Sequence, residues 1–350
     1  MSNYFVCDHQ AALKRPSLLL LLFACPGPKI RKVASGPKIV AAAVQMDGRI
    51  GEVAQNIAKA EGLARRAFAQ GAQWVMLPEF FTSPVGFHPA LKNVALPPDG
   101  PALKMMMGLA AKFKGYLAGS FIVADKGDAY NRCFLCGPEG VLGAHDKDQP
   151  TMWENAYYIG GKDDGIIPTP LGPVGAAVCW ELIRTRTAKR LAGKIKMLLS
   201  GSCWWAPPPV PLLNLFVRTA DRQNRKIVAE TPARFARLLG APVIHAGHCA
   251  RFSCATPYVP WRPFNSYYLG ETQIVAADGT ILARRTFEQG EGIVIAEVSL
   301  GDPEPLDPLP RGFWIPDLPL WMRAAWTYQN FHGKRAYRRM KQAQEFGWQK

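Results

Sequence analysis

The chain has 350 residues, 48% of them hydrophobic and 11% aromatic, a composition that excludes a disordered chain. No apolar run approaches the roughly 18 residues that a membrane span needs, which excludes a transporter or channel. The net charge of +15 suggests nucleic acid or another polyanion, but residues 1–38 and 331–350 each carry +5 and leave a third of it to the body between. The two basic tails are expected to be solvated extensions.

In chain order, Lys14-Arg15 precede an apolar run from Leu18 to Ala24 that ends at Cys25. The run resembles a minimal signal sequence, although Phe23 stands where a cleavage box carries a small residue. Residues 1–37 are taken as a basic N-terminal extension, expected to be disordered, on a cytoplasmic protein. Export or lipoprotein anchoring through residues 1–25 stays open.

Ile39 to Val44 is an apolar run of strand length. Asn56 to Gln70 spaces Ile57, Ala60, Ala64, Ala67 and Phe68 as one helix face, which Gly71 ends. Trp74 to Leu77 predicts a second buried strand, Pro101 to Lys114 a helix with proline in its first turn, and Tyr116 to Ala124 a third strand. Tyr130 to Ala144 predicts two strands turning at Pro138-Glu139-Gly140.

The second half repeats this logic. Strands are predicted at Val174 to Val178, Met197 to Ser200 and Ile227 to Ala229, with helices at Thr185 to Lys194 and Leu212 to Asn224. Gln273 to Arg284 predicts a hairpin turning at Asp278-Gly279, and Ile293 to Val298 a closing strand. Strands interleaved with helices predict one α/β layered domain over residues 38–300. Six prolines between Gly301 and Pro319 exclude regular helix and predict an extended strap. Trp321 to Trp348 then predicts a helix whose aromatics dock on its own domain or on a partner subunit. Residues 301–350 are therefore a proline-rich strap with a basic aromatic tail.

Eight cysteines are too few for a disulfide-built scaffold. Cys133-Phe-Leu-Cys136 has the spacing of a redox or zinc motif, and His245, His248, Cys249 and Cys254 offer further ligands. On a strand, however, positions three apart face opposite ways, so Cys133 and Cys136 are expected to diverge as buried thiols.

Three segments end a buried strand with a reactive side chain. In Met76-Leu77-Pro78-Glu79-Phe80-Phe81, apolar neighbours are expected to raise the Glu79 pKa towards general-base duty. Lys147 follows a strand between Asp146 and Asp148, with Glu154 seven residues on. Cys179 stands between an apolar strand and a helix, whose first amides are expected to lower its thiol pKa. Arg184, Arg186, Lys189, Arg190, Lys194 and Lys196 form a cationic run expected on a solvated helix face.

A cysteine nucleophile needs a base, and a tetrahedral intermediate needs a cation or N–H donors for its oxyanion. In order and surroundings the three segments resemble the nitrilase, or carbon–nitrogen hydrolase, superfamily over about Lys38 to Leu300. The closest stretch reads His145-x-Lys147-x-x-Pro150-Thr151-x-x-Glu154, then Gly160-Gly161-x-Asp163-Asp164-Gly165, Thr169, Gly172, Gly175 and Cys179-Trp180-Glu181.

The resemblance implies an α/β fold, a four-layer αββα sandwich forming a single catalytic domain. It implies Glu79 as general base, Cys179 as nucleophile and Lys147 as the cation at the oxyanion. The Trp180 N–H would be a second oxyanion donor, and Glu154 would orient Lys147 and the attacking water. A small nitrile or amide would give a thioester and then a carboxylic acid, with no metal or organic cofactor. The resemblance also implies a homodimer or larger homo-oligomer, with no specific nucleic-acid partner.

Departures from the nitrilase pattern leave nitrile against amide open. Aspartates flank Lys147, Leu182-Ile183-Arg184 replace the usual continuation after the nucleophile, and Trp204-Trp205 are expected to narrow the pocket. Transfer of the acyl group to an amine is the enzymatic alternative. A catalytically silent polyanion binder is the other.

Overall fold

The computed structural model of the protein describes residues 36–208, 214–256 and 259–349. The expectations for the N-terminal extension and the leader-like run concern residues outside these, apart from Gly36 and Pro37. So do the first residues of the helix predicted from Leu212.

The first half builds β1 (Lys38–Met46), α1 (Val53–Ala69), β2 (Trp74–Met76), α2 (Pro101–Phe113), β3 (Tyr116–Asp125), β4 (Asp128–Gly137) and β5 (Gly140–Asp146). The second half builds β6 (Ile166–Ile167), β7 (Val174–Val178), α3 (Thr185–Leu191), β8 (Met197–Ser202), α4 (Asn214–Leu239) and β9 (Val243–His248). A hairpin of β10 (Arg251–Thr256) and β11 (Val259–Tyr267) comes next, then β12 (Thr272–Val275), β13 (Ile281–Arg285), β14 (Gly292–Ser299) and α5 (Leu320–Gln342).

The strands run in the order β5-β4-β3-β2-β1-β9-β8-β7-β6, with β14 on β1 and the β12–β13 hairpin on β9. β1 pairs along its length with β14 and, through Gln45 and Met46, with β9. There the hydrogen-bonded network passes from one layer to the other.

Period-two alternation divides the strands between two faces. Ala41, Ala43, Trp74 and Met76 meet Val174, Ala176, Met197 and Leu199 in the central core. The alternate residues Ala42, Val44 and Val75 pack outward on Ala60, Leu63 and Met106 of α1 and α2. On the opposite outer face, Ala177, Leu198 and Val243 pack on Ala188, Leu191, Phe235 and Leu239 of α3 and α4. Helix, sheet, sheet and helix make the expected αββα sandwich. The same alternation separates two thiols: Cys133 lies in the central core and Cys136 in the outer one.

The sequence pattern misplaces one element. Ile227 to Ala229 is the middle of α4, not a strand. Short apolar runs do not distinguish a buried strand from a helix turn. Here Ala220, Asn224 and Val228 are buried at a spacing of four residues, with Phe235 and Leu239 continuing the stripe. The strand of this region is β9, from Val243 to His248, and it is fully buried.

The segment between β14 and α5 runs without regular structure and is tied to the body by backbone hydrogen bonds. Leu306 N–H donates to Arg237 O at 2.8 Å, Thr185 N–H to Phe313 O at 3.0 Å and Ile315 N–H to Ile183 O at 2.8 Å. α5 docks on its own domain, where Trp326 stacks on Trp180 with centroids 5.4 Å apart and planes within 3°. Among the described residues no helix is long and apolar enough to cross a membrane.

Candidate active site

The residues flagged at strand ends converge. Glu79 follows β2, Lys147 follows β5 and Cys179 follows β7, and all three are buried. Lys147 Nζ donates to Glu79 Oε1 at 2.8 Å and to Glu154 Oε2 at 2.6 Å. The Cys179 thiol is within hydrogen-bonding reach of the Glu79 carboxylate.

Local structure aims these groups. Glu154 sits three residues after Thr151, and its Oε2 accepts the Thr151 N–H at 2.9 Å in a capping turn, which points the carboxylate at Lys147. Tyr158 OH donates to the same oxygen. Cys179 adopts φ +54°, a left-handed conformation that costs a non-glycine residue about 1–2 kcal/mol and lifts its side chain out of the strand line. Phe80, directly after Glu79, has φ +55°. Gly201 on β8 lies so close to this turn that a Cβ would stand 2.4 Å from Glu79 N. Gly161 allows an equally close approach beside Lys147: its N–H donates to Lys147 O at 2.9 Å, and a Cβ would clash with Asp146 at 2.3 Å.

Glu79 is held by more than Lys147. Asn131 Nδ2 donates to Oε1 at 2.9 Å, and Cys203 N–H donates to Oε2 at 2.8 Å. His248 Nε2 lies 2.7 Å from the Glu79 carbonyl oxygen. Sequence reasoning missed Asn131, Tyr158, His248 and the Cys203 amide. Two of these carried a signal: Cys203 through its place beside Trp204-Trp205, and His248 as a candidate metal ligand, which instead meets the Glu79 carbonyl.

Burial drives the Glu79 pKa up, and Glu154 adds to it; Lys147 opposes both, and the result is about 7. Burial disfavours charge on Lys147, but Glu154 and Glu79 outweigh it and hold the ammonium well above its usual pKa. The expectation of an acidified Cys179 thiol is corrected. Burial, reinforced by Glu79 and Glu154, pushes its pKa well above the ordinary thiol value. The cysteine opens a five-residue 3-10 turn, Cys179–Ile183, rather than a full helix. The resting Cys179 side chain is a neutral thiol. The Trp180 N–H belongs to the first turn, where helical amides lack an intrahelical acceptor.

The cationic run after Cys179 is also corrected. Arg184 is 2% exposed and pairs with Asp148 at 2.6 Å. Arg190 lies 3.5 Å from Glu181. Arg186, 72% exposed, is the kind of solvated cation the run predicted. Asp146, the other aspartate beside Lys147, accepts two hydrogen bonds from Arg132, at 2.7 and 2.9 Å. Neither flanking acid is left to compete for Lys147.

Above Cys179 lies a cavity of about 250 Å³. Cys179 and Glu154 line it together with Phe87, Trp204, Trp205 and Phe264, so the aromatic narrowing is realised. α5 contributes Trp321, Met322, Ala325 and Gln329.

The family model described as carbon-nitrogen hydrolase matches residues 40–306. The chain belongs to the carbon–nitrogen hydrolase family. A bifunctional nitrilase/nitrile hydratase, NIT4A of Lupinus angustifolius, is 28% identical to it over 306 residues, 77% of this chain and 80% of that protein. Omega-amidase NIT2 of Danio rerio is 32% identical over 157 residues, 42% of this chain and 56% of that one.

Solved carbon–nitrogen hydrolases share the fold. The enzyme from Helicobacter pylori matches with a TM-score of 0.61 at 19% identity, covering 75% of this chain and 90% of that one. An amidase mutant from Nesterenkonia sp. AN1, with the acetamide moiety of fluoroacetamide added covalently at its active-site cysteine, matches with a TM-score of 0.57 at 17% identity and the same coverage.

Proposed function

We propose that this carbon–nitrogen hydrolase converts a small nitrile or amide to a carboxylic acid through a thioester on Cys179. The observation that carries this reading is the meeting of Glu79, Lys147 and Glu154 in one buried hydrogen-bonded cluster beside Cys179, with Cys179 and Glu154 lining a pocket. The adduct at the active-site cysteine of the Nesterenkonia amidase supports the same choice of nucleophile.

In the proposed cycle, Cys179 Sγ bonds to the amide carbon while Glu79 takes the thiol proton. A Glu79 pKa of about 7 suits it to accept that proton and return it. The negative charge on the former carbonyl oxygen is stabilised by Lys147 Nζ and the Trp180 N–H. The carbon–nitrogen bond then breaks, Glu79 protonates the nitrogen, and ammonia or an amine departs. Water, oriented by Glu154 and deprotonated by Glu79, attacks the thioester. The carbon–sulfur bond breaks, the acid leaves, and the proton returns from Glu79 to the thiol. A nitrile first adds Cys179 across its triple bond, and water adds to the resulting thioimidate before nitrogen is lost.

Screening ammonia release over nitriles, primary amides and carbamoyl amines tests this. Turnover and a covalent acyl adduct on intact protein by mass spectrometry are expected, both abolished in Cys179→Ala. Turnover that survives in Cys179→Ala overturns the mechanism.

A further inference from the structure

The cavity beside Cys179 is lined by two chemically different sets of groups. Cys179 and Glu154 come from the reacting cluster. Asn224 comes from α4, and Trp321 and Gln329 come from α5.

Each of these three carries a buried polar atom without a partner. Asn224 is 2% exposed, and its Nδ2 donates to Trp205 O at 3.1 Å, which settles the amide orientation and leaves Oδ1 unpaired. Gln329 Oε1 and the indole N–H of Trp321 are likewise buried and unpaired. A buried polar group left unsatisfied is costly, and such groups are regularly satisfied by the contents of a pocket. Two acceptors and one donor among the residues lining one cavity call for a group that both donates and accepts.

Charge narrows the class further. Among the described residues no Lys, Arg or His lines the cavity, and Glu154 is its one charged wall group. A substrate carboxylate beside Asn224 and Gln329 would find no cation and would face two carbonyl oxygens. Size and shape point to a ring. A cavity of about 150 Å³ accommodates benzene, so the cavity of about 250 Å³ has room for a ring with short substituents between its aromatic sides.

We propose that the pocket selects a neutral aromatic nitrile or amide whose far end carries a hydroxyl or N–H, accepted by Asn224 and Gln329 and hydrogen-bonded by the Trp321 indole. This inference rests on the hydrolase reading and names the substrate class of that site. Asn224 and Gln329 are specificity residues.

The test compares phenylacetamide, para-hydroxyphenylacetamide and para-carboxyphenylacetamide, with the matching nitriles. Ammonia release is measured for the wild type, Asn224→Leu and Gln329→Met. Calorimetric binding to the Cys179→Ala protein runs in parallel. For the wild type, kcat/KM for the hydroxyl compound is expected to exceed that for the unsubstituted one by about tenfold or more, with the carboxylate poorest. Within each wall variant that ratio is expected to fall towards one. If Asn224→Leu fails to fold, Gln329→Met on the half-exposed helix α5 still decides the outcome.

Equal turnover of all three compounds, or a preference retained in both wall variants, overturns the inference and leaves the hydrolase reading standing. If no compound releases ammonia while Cys179→Ala binds the hydroxyl compound preferentially, the recognition stands and the hydrolase reading falls. Neither turnover nor selective binding overturns it as well.

Discussion

At the residue scale, the proposed cycle makes the protonation of Glu79 decide when the site can work. Its carboxylate must be ionised to take the thiol proton, and with a pKa of about 7 it is half protonated near neutrality. Activity is therefore expected to fall as pH drops below about 7, with an acid limb in kcat/KM that follows Glu79. Asn131 donates to the ionised form at 2.9 Å, so Asn131→Ala is expected to move that limb to higher pH. A hydrogen bond to a charged group is worth about 1.5–3 kcal/mol, which corresponds to a shift of about 1–2 pH units. A pH–rate profile of both proteins checks it; an unmoved limb would show that Glu79 is not the titrating base. The burial that raises Glu79 also raises Cys179, so the proposed cycle starts by proton transfer within the pair rather than from a pre-formed thiolate.

At the element scale, three strands deliver one side chain each and β8 holds them at spacing. Gly201 brings β8 against the backbone of Glu79, where no flexible side chain exists to yield. Gly201→Ala is expected to push Glu79 away from Lys147 and reduce kcat by about 100-fold or more, since misplacement of about 1 Å has that effect. Steady-state kinetics beside a far-ultraviolet circular dichroism spectrum separates a displaced base from an unfolded chain. β2, β3 and β7 could be anticipated because compact apolar runs bounded by Gly, Pro or charge mark buried strands. α4 could not be apportioned in the same way. Its stripe of Asn224, Val228 and Phe235 is interrupted by Arg, Lys and Pro232, and the buried face emerges only when β12 and the second layer pack on it.

At the scale of the whole molecule, a buried ionic network crosses between the layers. His145 at the end of β5 has Nε2 3.0 Å from Glu181 Oε2, and its Nδ1 contacts Asp163. Glu181 also accepts the Val178 N–H at 2.7 Å and the Asp148 N–H at 3.2 Å, so it holds the approaches to Cys179 and Lys147 together. Burial opposes charge on His145, but Glu181 and Asp163 outweigh it and raise its pKa from 6.5 to about 9. A raised histidine contributes stability that is fully present below its unfolded pKa and is lost as pH climbs through the folded one. The fold should therefore lose of the order of 3 kcal/mol between pH 6.5 and about 9. Thermal unfolding across that range is expected to show a falling Tm. The slope should be flatter, from a lower starting Tm, in His145→Gln; equal slopes would remove the network from the account.

The sequence by itself determined the α/β layering and the strand ends at which Glu79, Lys147 and Cys179 meet, because periodicity limits faces and buried apolar runs limit where strands stop. Only the tertiary structure decided their charge states and partners. Asn131 lies 52 residues from Glu79, the group it holds, and nothing in a linear pattern marks a hydrogen bond across such a separation. The same holds for Arg184 and Arg190, which read as surface cations until burial brought Asp148 and Glu181 against them. The sign of the Cys179 shift came from desolvation by the assembled pocket, a quantity that exists only once the layers have closed.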